Sequence, residues 1–273
     1  MSNTGAYAGN LSVFSIDSAS QLDYLQNANL NLTEQQQEGS SIAYLGGNTQ
    51  GVKMGGELSC SIFSDQSTAI RVSHLDVSAA DLGSIDLLSP NILYGLDLSL
   101  DYTHGMNPGI GELWQFPVIA DRRFSGSLRL AMMTDDAPDL LVDLLSGTYA
   151  DKNKLFSFTI NGVTFEVPMR MTGTTIPIQK EGMLEYTIPL GDRSGRSGVT
   201  VLPSGTTGLI AKAFNAPTTA LAFAFRPKAH PSLNFAGNML IKSFRMSSQD
   251  ASLVPVNLTY ACQGTWTGTA TVS

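Results

Sequence analysis

The residue types that could do chemistry are few in this chain, and their spacing does not suit it. The histidines His74, His104 and His230 stand about 30 and then more than 100 residues apart, with no i,i+4 pair and no cysteine-rich frame of the kind zinc takes. Exposed or hydrogen-bonded histidines are expected. Either cysteine, Cys60 or Cys262, could pair with a histidine as a nucleophile, but both fall in inward-facing strand patterns, where burial raises a thiol's pKa and makes it inert. Two cysteines are also too few for a disulfide framework, so reduced, buried thiols are expected. The adjacent acids Asp135 and Asp136 precede a leucine stripe, where negative charge favours a helix N-terminus; this explains them better than a glycosidase pair does. The run GDRSGRSG lacks the Lys-Ser/Thr ending of a phosphate-binding loop. Trp114 and Trp266 fall near expected strand ends, where stacking on a sugar or base and packing at an interface rim suit them equally. No catalytic, cofactor-binding or metal-binding residue is assigned, no cofactor is expected, and the chain reads as non-enzymatic.

The composition points to assembly. Of 273 residues, 42% are hydrophobic and only 14% charged, against about 25% charged in an average soluble domain. Much of the surface is therefore cheap to desolvate and suited to contacts between copies, although secreted β proteins and some binding modules share this composition. The formal charge of -7 excludes a nucleic-acid clamp, which needs a basic surface, but not a wall past which nucleic acid slides. The opening MSNTGAYAGN shows no Sec-type pattern, so cytoplasmic synthesis is expected. Apolar runs such as TALAFAF fall far short of the roughly 20 residues of a membrane-spanning helix, so no membrane insertion is expected.

Period-two alternation dominates the chain. Residues 1–20 read as an arm that orders only on packing. Residues 21–110 form the first part of a β core, with strands ANLNLTE, GGELSCSIFSD and ILYGLDLSLDY and a polar loop over 34–51. In GGELSCSIFSD, Leu58, Cys60 and Ile62 point one way and Glu57, Ser59 and Ser61 the other. VSAADLGSIDLLSP reads as a short helix capped by Ser78. Residues 111–190 hold the strand FSGSLRLAMM and a helix over 136–146, with Asp136 as cap, a stripe of Leu140, Leu141, Leu144 and Leu145, and Gly147 as terminator.

LFSFTINGVTFEV is a hairpin on an Asn161-Gly162 turn, with Phe158 opposite Phe165 and Ile160 opposite Val163. MTGTTIPI and MLEYTIPL suggest a further pair turning near Lys180-Glu181-Gly182. Residues 191–208 form a Gly/Ser-rich loop or linker. Residues 209–273 carry TTALAFAFRP, NMLIKSFRM and LVPVNLTYACQG, which complete the core. GGELSCSIFSD and SGSLRLAMMTD share Gly, Leu and Asp at matching offsets, which either duplication or chance would produce.

LQNANLNLTE followed by GVKMGGELSCSIFSD, with FAGNMLIKSFRMSSQDASLVPVNLTYACQGTW at the other end, resembles the flanking core strands of the major tail tube protein of long-tailed, siphovirus-like phages. The likeness covers about a third of the chain and lies in the order of its elements. It implies a mainly β fold, a sandwich or barrel with a short flanking helix, and an inserted or duplicated β subdomain within 66–230 as one explanation of the length.

The resemblance further implies a virion protein assembled in the host cytoplasm. Its subunits form homo-oligomeric rings, of six chains or of three if the fold is duplicated, which stack through 34–51 and join other tail proteins around a channel that DNA transits without sequence-specific binding. Strands such as LNLTE and LVPVNLTYACQG are expected at sheet margins that ring closure would satisfy, and the channel lining is expected to be net negative or nearly neutral. The alternatives are another virion component, such as a tail terminator, baseplate or decoration protein, and a carbohydrate-binding or adhesin-like β module.

Overall fold

The computed structural model describes residues 11–39, 48–65, 68–71, 75–79, 83–84, 91–107, 116–132, 139–146, 148, 152–160, 163–178, 181, 184–192, 208–215, 217–228, 232–249 and 253–270. The alternation of Leu96, Leu98 and Leu100 with Asp97 and Ser99 becomes one wall of a mainly β molecule with short helices, and all three leucines are buried. In chain order the strands are β1 (Leu11–Ile16), β2 (Ala19–Ser20), β3 (Leu25–Gly39), β4 (Asn48–Ile62), β5 (Ser64–Asp65), β6 (Thr68–Ala69), β7 (Leu75–Ala79), β8 (Gly83–Ser84), β9 (Asn91–Asn107) and β10 (Phe116–Met132). Helix α1 (Asp139–Leu145) follows, then β11 (Asn153–Ile160), β12 (Val163–Met171), β13 (Leu184–Asp192), helix α2 (Leu209–Asn215), β14 (Leu221–Pro227), β15 (Leu233–Gln249) and β16 (Val256–Ala270).

All but β5 and β6, which pair with each other, belong to one sheet that does not close into a barrel. Its connectivity separates into two sets of seven strands with the same neighbour order. One set runs β2-β1-β14-β15-β16-β4-β3 and the other β8-β7-β11-β12-β13-β10-β9. In each set a seven-residue helix immediately precedes a matching strand, α2 before β14 and α1 before β11. The second set lies in sequence between β4 and α2 of the first.

The register matches as well. Leu32 faces Gly56 as Leu98 faces Gly126, and Ala261 faces Glu57 as Pro189 faces Ser127. Met239 faces Cys262, then after a one-residue bulge Ser243 faces Thr259. Met171 likewise faces Leu190, and after the same one-residue slip Thr175 bridges Thr187. Two helices bury the same two positions, Leu140 and Leu144 on α1 and Ile210 and Phe214 on α2.

The sets meet at β15. Its first half pairs with β14 through Phe235 to Met239, and β9 takes over the same edge from Ser243 onward. The sheet curls so that non-neighbouring strands face each other: Phe124 on β10 lies 5.9 Å from Phe158 on β11. Phe214 of α2 sits 4.3 Å from Phe165, 5.4 Å from Phe244 and 5.8 Å from Phe124, so one helix fills the space between both sets.

Several sequence expectations need correction. The expected arm carries β1, whose Phe14 and Ile16 are buried and which pairs with β14; its apolar residues find partners more than 200 positions away. Much of the expected loop 34–51 is hairpin, because β3 extends to Gly39 and β4 begins at Asn48, with Glu34 opposite Met54. Backbone pairing between polar residues needs no apolar period. The expected helix at Ser78 is strand β7, held between β11 and β8.

The helix expected over 136–146 spans Asp139–Leu145 and buries Leu140 and Leu144, while Leu145 is exposed. Its expected cap Asp136 and terminator Gly147 lie outside the described residues. β16, expected at a margin, is interior between β15 and β4, whereas β3 pairs only with β4 among the described residues. Ser61, expected on the outer side, is buried and donates to Gln26 Oε1 at 3.0 Å. β13 continues to Asp192, and 193–207 of the expected loop 191–208 lie outside the described residues.

The hairpin register is as the sequence predicts, with Phe158 opposite Phe165 and Ile160 opposite Val163; Asn161 and Gly162 lie outside the described residues. The expected pairing of MTGTTIPI with MLEYTIPL is present in part: Met171 faces Leu190, Thr172 N–H donates to the Pro189 carbonyl at 3.0 Å and Thr175 bridges Thr187, while the other edge of β13 pairs along most of its length with β10.

A polar sheet face as the candidate functional surface

Pleating sends alternate side chains to opposite faces, so the strands that bury Leu58, Leu258, Phe244, Leu100 and Phe124 present a second, uncovered face. The pairing aligns that face in rows. Across β3, β4, β16, β15, β9 and β10 one row reads Asn29, Ser59, Thr259, Ser243, Asp101 and Arg123. The next reads Asn27, Ser61, Asn257, Arg245, Ser99 and Ser125. Six strands at about 4.8 Å spacing make a wall roughly 24 Å wide. Every side chain in these two rows is polar, most are short, and all except the buried Ser61 reach the surface.

The charges on this wall are held by their neighbours. The Asp97 carboxylate accepts from Ser127 Oγ at 2.9 Å and from Ser247 Oγ. Asp101 accepts from Ser99 Oγ at 3.0 Å and faces the Arg245 guanidinium at 3.5 Å. Glu57 pairs with Lys242. Together with Arg123, Arg129 and Asp121, these give four acids against four bases among the described side chains that β4, β15, β9 and β10 place on this face, a balanced surface. The excess negative charge of the chain therefore resides elsewhere.

At the fork where β9 leaves β15, a cleft of about 490 Å³ is lined by Asn31, Thr33, Glu57, His104, Lys242 and Cys262, among others. Its titratable groups are poorly suited to catalysis. Burial pushes the Cys262 thiol up to about 12, with the nearby Glu57 charge adding to the effect, and burial alone does the same to Cys60 outside the cleft lining, so neither is a thiolate near neutral pH. Burial pushes the Tyr102 phenol up to about 12 against the lowering influence of Arg122, and its hydroxyl donates to the Ala213 carbonyl of α2 at 2.6 Å. Burial lowers the His104 pKa; the Ile241 backbone opposes this, Lys242 reinforces it and Glu57 opposes it. Among the described residues, neither ring nitrogen of His104 has a hydrogen-bond partner of good geometry.

Both cysteines are free and buried, as their alternation predicts. His74, His230, Trp114, Asp135 and Asp136 lie outside the described residues. Trp266 is not at a rim: it is 7% exposed inside β16, its ring stacks over the bare backbone of Gly237, and Nε1 donates to the Asn238 carbonyl at 3.1 Å. Among the described residues no group of His, Cys, Asp and Glu could hold a metal ion, and no helix is long and apolar enough to cross a membrane.

Sequence reasoning did not identify the polar wall as a unit. Each of its rows draws one residue from each of six strands scattered over more than 200 positions, and only the pairing aligns them. No protein-family model matches this chain, and no curated protein matches it in sequence.

Proposed function

We propose that this protein is the major tail tube subunit of a long-tailed phage, a non-enzymatic virion component whose copies form stacked rings around a channel for DNA. The observation that carries this reading is the uncovered face of Asn, Ser and Thr rows. It is closely balanced in charge, its two rows carry no large apolar side chain, and it spans six neighbouring strands of the sheet. Such a wall offers a passing polyanion neither a basic grip nor an apolar surface to stick to.

The two sets of seven strands are a duplicated tube unit, the second inserted into the first. Three chains then supply the six units that the family's simpler rings take from six chains. The β3–β4 hairpin extends about 24 Å beyond Leu32 by strand rise alone, and its far end makes the contact between stacked rings. Other tail proteins cap the stack.

Electron microscopy of the purified full-length chain tests this. Rings and hollow tubes lined by Asn27, Asn29, Ser99 and Ser125 are expected. Monomers at every concentration, or tubes with the polar wall turned outward, would overturn the reading.

A further inference from the structure

The internal junction between the two units has both of its halves repeated, unpaired, on the same chain. In the first unit the outer edge of β15 beyond Met239 is occupied by β9 of the second, with Ser243 opposite Asp101, Phe244 opposite Leu100 and Met246 opposite Leu98. In the second unit the matching stretch is Thr172–Ile178, where Thr175 stands for Ser243, Ile176 for Phe244 and Ile178 for Met246 by the register given above. Among the described residues no strand pairs with its outer edge. The strand that matches β9 is β3, where Leu32 stands for Leu98, and its outer edge is also unpaired among the described residues.

We infer that β3 of one copy pairs antiparallel with residues 172–178 of the next, placing Ile178 opposite Leu32 and Ile176 opposite Glu34. This rests on the reading that the chain forms rings, and it specifies the seam. The register follows from the internal template without adjustable choice. β9 maps onto β3 by a shift of 66 positions, shown by Leu98 and Leu32, and β15 maps onto 172–178 by a shift of 68, shown by Ser243 and Thr175.

The exposure of these residues agrees with a missing partner. Leu98 and Met246, which meet in the internal junction, are each 2% exposed, whereas Leu32 is 38% and Ile178 is 96% exposed. An isoleucine left almost wholly in water on an unpaired edge is a hazard unless a partner covers it. Ile176, the counterpart of buried Phe244, already packs against the core.

The backbone is suitably oriented. Thr175 N–H and C=O both bond to Thr187, each at 2.9 Å. By alternation the groups of Ile176 and Ile178 point to the outer edge. Pro177, which has no N–H to give, has its nitrogen directed inward toward β13, so the outer edge keeps its donors. The two free halves are different surfaces, so the contact is heterologous and propagates from copy to copy until a ring closes.

The test uses the full chain carrying Leu32→Cys or Ile178→Cys, with the native thiols buried. Mild oxidation of an equal mixture of the two single variants should yield covalent heterodimers on a non-reducing gel, because directly opposed residues in an antiparallel pair fall within disulfide reach. The double variant should give a ladder ending at the ring size, and Leu32→Cys alone should give no dimer. In parallel, Ile178→Asp should weaken ring formation at least tenfold with an unchanged circular dichroism spectrum, and adding Leu32→Lys should restore part of it. Rings without the 32-to-178 cross-link would overturn this seam while leaving the tube reading intact. Absence of rings from the unmodified protein would overturn both.

Discussion

A Cβ added to Gly56 would lie 2.5 Å from the Asn31 carbonyl oxygen, and one added to Gly126 would lie 2.6 Å from that of Asp97. In both places the next contact is Cδ2 of the following leucine, Leu32 or Leu98. The two glycines also align in the repeated stretch GGELSCSIFSD and SGSLRLAMMTD. Two hairpins thus solve one packing problem in one way: the return strand crosses so close to the outgoing backbone that only a bare Cα fits.

Gly126→Ala should therefore destabilise the subunit. The close neighbour is backbone and cannot rotate away, so the cost falls in the overpacking range of about 1–3 kcal/mol. Gly56→Ala should behave similarly. Denaturant melts of both variants check this; an unchanged midpoint at either position would refute the shared geometry.

Phe214→Ala should be among the most damaging single substitutions. The ring contacts aromatic residues from both strand sets at 4.3 to 5.8 Å, and its loss leaves a cavity between them. A cost of about 3–5 kcal/mol is expected, read as a lower thermal midpoint or as failure to recover soluble chain. Phe214→Leu should recover much of the loss.

The two thiols should be silent in the native state. With both pKa values pushed up to about 12, the thiolate is a negligible fraction at pH 8, and both sulfurs are buried. Iodoacetamide at pH 8 should label neither Cys60 nor Cys262 in folded protein and both in denaturant, read by intact mass. Rapid labelling of native protein would contradict their placement.

His104 should make stability pH-dependent in a defined direction. Its native pKa lies below 6.5 because burial penalises the charged ring. The unfolded chain therefore binds more protons in the interval just below pH 6.5, and stability falls as pH falls through that interval. Lys242 and Glu57 are the charged groups that influence it. Melts from pH 8 to pH 5 should show a shallower decline for His104→Gln than for the unmodified chain. Equal slopes would remove this role.

Charge on the polar wall should control DNA passage separately from assembly. Ser125→Arg with Asn257→Arg adds two cations to one row of exposed short side chains. Tubes should still form, yet retain DNA at low salt and release it as salt rises. Tubes indifferent to the change would place the DNA path elsewhere.

Strands and their faces were legible wherever apolar and polar residues alternate. Leu96, Leu98 and Leu100, or Val256, Leu258 and Tyr260, can all be buried at once only on a period of two. The Phe158–Phe165 register followed from the sequence too, because a two-residue connection leaves one way to align the hairpin. The likeness of Gly56 and Gly126 was visible as letters, but its meaning lay in carbonyl oxygens that no local pattern records.

Tertiary structure decided the rest. Helix α2 went unpredicted because Leu209, Ile210, Ala211, Ala213 and Phe214 make it apolar almost all round, leaving no polar face to mark a helical period, and the burial of those residues between the two strand sets is what holds it. Trp266 became core because Gly237 on the neighbouring strand leaves room for its ring. The polar extension of β3 and β4 and the strand at Ser78 were hidden because backbone pairing stabilises a strand whatever its side chains, once a partner edge is in place. That partner edge is a property of the folded sheet, and the nearest residues in sequence do not reveal it.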